Sequence, residues 1–308
     1  MHRLTRRQLL AGTAAAAAAG AANRPPGVLV DTHVHLFADD TQRFPIHPGS
    51  PYKPSPQPLE KYVEFVRQAR IDHTIIVHPE PYQDDHRYLE YCFEHEPSRG
   101  FFKGTCLFDP IAPDTPARME ALVKKHGGRI VALRVHETED PKRGPSTAGP
   151  IRDRDMKSPQ MLAVWKKAHS LGLAVQMHLI PYFAPHVRAL ASQLREMPVI
   201  LDHLSRAGQG TPAEYEEVLR LSDLPRVYMK FSGHSYSSKE KPPYRDLQPL
   251  TRRIFQAFGP DRILWGGLGM SMADFERECA VFDELLSFAS EADRAKIRGL
   301  NAVRLFRF

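Results

Sequence analysis

Cysteine is scarce in this chain. Only Cys92, Cys106 and Cys279 occur among 308 residues, far apart and with no C-x-x-C pair. That excludes a disulfide scaffold and a cysteine-built zinc module, and the odd count leaves free, buried thiols as the expectation. No run of about 20 strongly apolar residues is present, so no conventional membrane-spanning helix is expected. Lys/Arg runs are missing too. With 42 basic against 36 acidic residues the net charge is +6, too evenly spread to suggest a nucleic-acid surface. There is also no G-x-G-x-x-G to support a doubly wound dinucleotide fold. What remains, 42% hydrophobic and 25% charged residues, is the composition of a globular domain.

Residues 1–22 stand apart from the rest. Arg3, Arg6 and Arg7 precede Leu9-Leu10, then an alanine-rich run, then small residues around Ala19-Gly20-Ala21. This is the order of a charged segment, a weakly apolar segment and an A-x-A-like cleavage site. The Arg6-Arg7 pair followed by Gln8-Leu9-Leu10 resembles a twin-arginine export signal, which implies a periplasmic destination. Cleavage after Ala21 or Ala22 removes three positive charges and no negative one, so +6 becomes +3.

From residue 23 onward, strand-like and helix-like segments alternate. Strands are expected at 28–36, 73–77, 101–108, 130–135, 173–179, 199–203, 227–231 and 262–265. Helices are expected at 59–70, 84–95, 115–125, 158–171, 185–196, 212–221, 247–258 and 272–289. A proline-dense loop fills 45–58 and a charged Pro/Gly-rich loop fills 137–154. Eight strands, each followed by a helix, imply parallel pairing through right-handed crossovers. The reading is one α/β domain over 23–308, a single (β/α)8 TIM barrel behind an export signal.

Such barrels carry their chemistry at the C-terminal ends of the strands. Fifteen histidines are present, and seven fall there: His33 and His35 on the first strand, His78 on the second, His136 on the fourth, His178 on the fifth, His203 on the sixth and His234 just past the seventh. Residues i and i+2 of a strand face the same way, so His33 and His35 can both face the axis. With His178 as a third nitrogen across the barrel they form a candidate site for a divalent metal. Three imidazoles suit zinc and leave a position open for water. In Val199-Ile200-Leu201-Asp202-His203, alternation places Asp202 and His203 on opposite faces; His203 is expected inward as a proton donor or oxyanion partner, and Asp202 outward as a structural residue. Arg134 and His136 share a face. Turned inward, Arg134 would clamp a substrate carboxylate; turned outward, it would be salt-bridged. Lys230 is either a pocket anion binder or a snorkelling surface lysine.

Asp31-Thr32-His33-Val34-His35, Gln176-Met177-His178, Leu201-Asp202-His203, Lys230-Phe231-Ser232-Gly233 and Asn301-Ala302-Val303-Arg304-Leu305-Phe306, in this order, resemble the amidohydrolase-2 branch of the amidohydrolase superfamily. That branch holds sugar lactonases, a pyrone dicarboxylate lactonase and related decarboxylases. The resemblance implies metal-assisted opening of a lactone or similar cyclic ester, or else a metal-dependent decarboxylation. His33, His35 and His178 would hold the metal, His203 would be catalytic, and Arg134, His136 and Lys230 would bind a sugar lactone or carboxylated ring. No nucleic-acid partner is implied, nor a membrane once the signal is removed.

This chain departs from the family's pattern on the eighth strand, where the family usually writes an aspartate in a run like Trp-Gly-Ser-Asp-x-Pro. Here the residues are Trp265-Gly266-Gly267-Leu268, and a leucine can neither accept a proton nor touch a metal. Asp274, one helical turn further on, or Glu137, at the end of the fourth strand, could stand in. This departure also opens a different reading, a catalytically retired barrel that binds a small acid or sugar.

Overall fold

In the computed structural model, which describes residues 24–308, eight strands form one parallel sheet in chain order. They are β1 (Val30–Val34), β2 (His73–Val77), β3 (Phe102–Leu107), β4 (Ile130–Glu137), β5 (Ala174–Leu179), β6 (Val199–Leu201), β7 (Val227–Phe231) and β8 (Ile263–Trp265). A helix follows each: α1 (Leu59–Ala69), α2 (Arg87–Glu94), α3 (Thr115–His126), α4 (Pro159–Ser170), α5 (Ala184–Ala191), α6 (Pro212–Arg220), α7 (Gln248–Phe258) and α8 (Met272–Leu285). Two short helices, α9 (Glu291–Ala295) and α10 (Asn301–Phe306), complete the described chain. The (β/α)8 barrel expected from the alternation is the architecture found. The signal-like residues 1–22 lie outside the described residues. Among the described residues no helix is long and apolar enough to cross a membrane, and the three cysteines are free.

Local chemistry explains where the helices begin. Thr211 and Glu214 form a reciprocal capping box at the start of α6, with Pro212 in the first turn. Ser158, Ser271 and Ser290 cap α4, α8 and α9 through their side chains.

Seven parallel ladders join β1 through β8, and side chains bridge the seam between β8 and β1. The Thr32 hydroxyl donates to the Trp265 carbonyl at 2.7 Å. Asp31 Oδ1 accepts from the backbone N–H of Gly267 at 2.8 Å and of His33 at 3.0 Å. The strands approach so closely that a Cβ on Gly266 would stand 2.6 Å from Thr32 Oγ1; only glycine fits there.

The barrel interior is layered. At the bottom, Val30, Ile75, Val77, Ala132, Ala174, Ile200, Tyr228 and Leu264 form an apolar cluster stopped by Ala302 and Phe306 of α10. Above it the inward positions turn polar, with Arg134, Gln176, Asp202 and Lys230 all buried. Histidines form the top layer. The larger apolar cluster lies between the strands and the outer helices.

Candidate active site

Two backbone irregularities build the histidine layer. On β1 the register advances three residues, Asp31 to Val34, while β2 advances two, Thr74 to Ile76. This bulge re-aims the chain, so that Asp31 reaches the α1 tyrosine Tyr62 while His33 and His35 meet edge to face, ring centroids 4.9 Å apart.

The second irregularity follows β6. His203, Leu204, Ser205 and Arg206 have φ of 55°, 52°, 51° and 49°, one turn in the left-handed region, which non-glycine residues rarely adopt. Alternation from inward Ile200 carries Asp202 inward, and the left-handed turn brings His203 in as well. The expectation that Asp202 faces out is therefore wrong: it is fully buried in the barrel. Its Oδ1 stands 3.0 Å from Lys230 Nζ, and its Oδ2 stands 3.3 Å from Arg134 and 2.9 Å from the Gln176 amide. Burial alone would raise the Asp202 carboxyl, but the Lys230 and Arg134 cations beside it hold it well below the usual carboxylate range.

Arg134 and Lys230 thus both point inward. Lys230 Nζ also donates to the Thr32 carbonyl at 3.0 Å and lies 3.4 Å from His33 Nδ1. The anion that Lys230 holds in this structure is Asp202, beneath the histidines.

Five of the seven rim histidines come together. Ring centroids step from His35 to His33 (4.9 Å), His33 to His203 (4.4 Å), His203 to His178 (5.1 Å) and His178 to His136 (5.4 Å). Burial lowers the pKa of all five, to about 3 for His35 and His203, so the imidazoles are neutral at pH 7. His78 and His234 do not join. His78 meets the Gln83 carbonyl at 2.9 Å, and His234 packs on Phe231 and Tyr244.

The residues present fit a divalent metal. His35 Nδ1 faces the Val77 carbonyl at 2.7 Å and must carry the ring proton, which leaves Nε2 as an acceptor. His33 Nε2 lies 3.3 Å from it, about the spacing of two nitrogens on one tetrahedral zinc. Both ring nitrogens of His178 are buried without a partner. Among the described residues, one set of three ligand-type side chains has its atoms within 4.8 Å of one another, and it is His33, Asp202 and His203. His178 reaches this set through the His203 ring.

Sequence reasoning missed Arg206. Its guanidinium lies over the Tyr236 ring at 4.2 Å, and that ring is 5.4 Å from His203 and 6.1 Å from His178. Arg206 Nε is buried without a partner, and among the described residues the guanidinium meets no carboxylate. Nearby Arg152 is neutralised by Glu80 at 2.7 and 2.8 Å. Beneath the histidines, then, Arg134 and Lys230 share one carboxylate, Asp202, while Arg206 stands beside them on Tyr236. The signal for Arg206 was three residues beyond His203, but only the left-handed turn aims it at the pocket.

The stand-in carboxylates lie elsewhere. Leu268 is fully buried in the outer core. Asp274 is engaged with Ser271 and the Met270 N–H. Glu137, next to inward His136 on β4, lines a separate cavity of about 160 Å³ with Asp153, Arg154 and His186.

The profile of the amidohydrolase family (amidohydrolase-2) matches residues 30–308. The chain belongs to that family. It is 27% identical over 294 residues to a 4-sulfomuconolactone hydrolase of Hydrogenophaga intermedia, covering 92% of this chain and 89% of that one. An L-fucono-1,5-lactonase of Burkholderia ambifaria is 22% identical over 264 residues, 82% and 84% of the two chains. The fold is shared with a zinc-bound amidohydrolase of Burkholderia multivorans at a TM-score of 0.69 and 17% identity, covering 92% of this chain and 100% of the other.

Proposed function

We propose that this amidohydrolase opens a lactone that carries an anionic group, a carboxylate or sulfonate. One observation carries the reading: Arg206 stands beside the histidine cluster with no carboxylate partner among the described residues, its guanidinium over the Tyr236 ring that adjoins His203 and His178. A partly desolvated, unpaired guanidinium is a bidentate receptor for an oxyanion. Tyr236, stacked under it, offers a flat apolar face to a ring. The names of the two relatives, both lactone-opening enzymes, support the reaction type.

His33, His35 and His178 would hold a divalent ion, zinc by ligand type; bound there, it would act as a Lewis acid and lower the pKa of a bound water. The protein's own groups do the rest. Arg206 anchors the substrate's anionic end, and His203 faces the developing oxyanion. Arg134 and Lys230 fix Asp202 below His33, so their work is structural support of the ring that they flank. Leu268 leaves the eighth strand without a proton acceptor, and of the five clustered imidazoles only His136 is left without a metal-binding or donor role. Export through the Arg6-Arg7 segment would place this reaction in the periplasm.

The test is proton release by the purified protein across carboxylated and sulfonated lactones, sugar lactones and dicarboxylic pyrones, with and without a chelator. Turnover of anionic lactones supports the reading. The burial of Leu268 at the family's aspartate position favours a second reading, a retired binder, and saturable binding of these compounds without turnover would establish it instead. Release of carbon dioxide from a carboxylated ring would make it a decarboxylase.

A further inference from the structure

The last turn of the site holds a contact that the resemblance does not assign. Ser232, just past β7, is buried, and its Oγ lies 2.9 Å from His203 Nδ1. Among the described residues the hydroxyl has no other hydrogen-bond partner. A buried hydroxyl that accepted a proton from Nδ1 would leave its own O–H unsatisfied, at a cost of roughly 1–3 kcal/mol. Donating to Nδ1 satisfies both groups and puts the ring proton on the other nitrogen.

The backbone around this contact is built to hold the ring still. Gly233 has φ of 59°, and a Cβ there would stand 2.5–2.7 Å from three ring-side atoms of His203. On the other side, the left-handed turn is pinned by Ser205 N–H donating to the Asp202 carbonyl at 2.8 Å and by the Tyr215 hydroxyl donating to the Leu204 carbonyl at 3.0 Å. Four non-glycine residues in that region are strained, and such strain persists only where the surroundings over-determine it.

We propose that Ser232 is a positioning residue that holds His203 in the tautomer with its proton on Nε2, so that the ring presents an N–H donor to the pocket. Ser232 itself touches no substrate. The catalytic meaning of that donor rests on the lactone-hydrolase reading, because it is the group that meets the oxyanion of an attacked ester. The tautomer itself does not depend on that reading.

Nitrogen-15 NMR of histidine-labelled whole protein tests it, with the His203 resonances assigned by their loss in His203→Gln. The wild type is expected to show a protonated Nε2 and an unprotonated Nδ1. In Ser232→Ala the preference is lost, and turnover of a lactone falls roughly tenfold to hundredfold in kcat with KM little changed. Ser232→Thr, which keeps the hydroxyl, restores both. A wild-type spectrum with the proton on Nδ1 overturns the proposal without any variant, as does an unchanged tautomer in Ser232→Ala. If no lactone is turned over, the hydrolase reading fails while the spectra still decide the role of Ser232.

Discussion

Asp202 Oδ1 and Lys230 Nζ stand 3.0 Å apart in the barrel, both wholly removed from water. Arg134 approaches the other oxygen of the same carboxylate at 3.3 Å. One buried anion therefore serves two buried cations, and removing it strands both. Breaking a buried pair from one side costs roughly 3–5 kcal/mol. Asp202→Asn is expected to lose at least that much in urea unfolding, whereas Lys230→Met, which leaves Asp202 paired with Arg134, loses clearly less. Equal losses would show that Arg134 does not share the carboxylate.

Stability should fall on the acid side. Burial lowers His35 and His203 to about 3 and His78 to about 4. These rings stay neutral in the fold, while the unfolded chain protonates them below about 6.5. The unfolded state then binds more protons, so stability rises with pH up to about 6.5 and is flat above it, as far as these groups are concerned. Each ring contributes up to about 1.4 kcal/mol per pH unit in that window. The urea midpoint should drop steeply between pH 6.5 and 4.5; a midpoint that is constant across that range contradicts the burial of these imidazoles.

Glu137 has the opposite sign. Burial, and after it the Asp153 carboxylate, pushes its pKa up to about 9. Its folded value lies above the unfolded one, so its favourable contribution is full below about 4.3 and is lost as pH rises through about 9. Glu137→Gln keeps the shape without the proton requirement. The variant should melt higher than wild type at pH 8, with the difference vanishing at pH 4. A variant less stable at pH 8 would mean that the carboxylate is charged and paired in the fold.

Much of this molecule was legible in its sequence. Eight strands and the eight helices after them follow from apolar periodicity, and β2 and β7 end where the runs His73–Val77 and Val227–Phe231 end. The inward pair His33 and His35 follows from spacing two apart. The errors share one cause, local departures from regular geometry. Strand alternation predicts one inward residue from Asp202-His203, yet four residues of positive φ admit both. The same turn aims Arg206, which no spacing rule marks. Lys230 and Arg134 left two orientations open because a buried charge is legible only once its counter-ion is located, and that counter-ion was the aspartate assigned to the outside. His78 and His234 sit at the right sequence positions but turn toward the Gln83 carbonyl and Phe231, because side-chain direction beyond a strand end is set by the loop.

The central claim is an anionic lactone held by Arg206. Its most direct test is the ratio of kcat/KM for a carboxylated lactone over its neutral ester or amide analogue, measured in wild type and in Arg206→Ala. An oxyanion bound by an unpaired guanidinium is worth roughly 1.5–3 kcal/mol, so wild type should prefer the anionic compound by about tenfold or more. Arg206→Ala should erase that preference, mainly through KM, while leaving the neutral compound's kinetics nearly unchanged. Equal rates for both compounds in wild type, or a preference that survives Arg206→Ala, would contradict it.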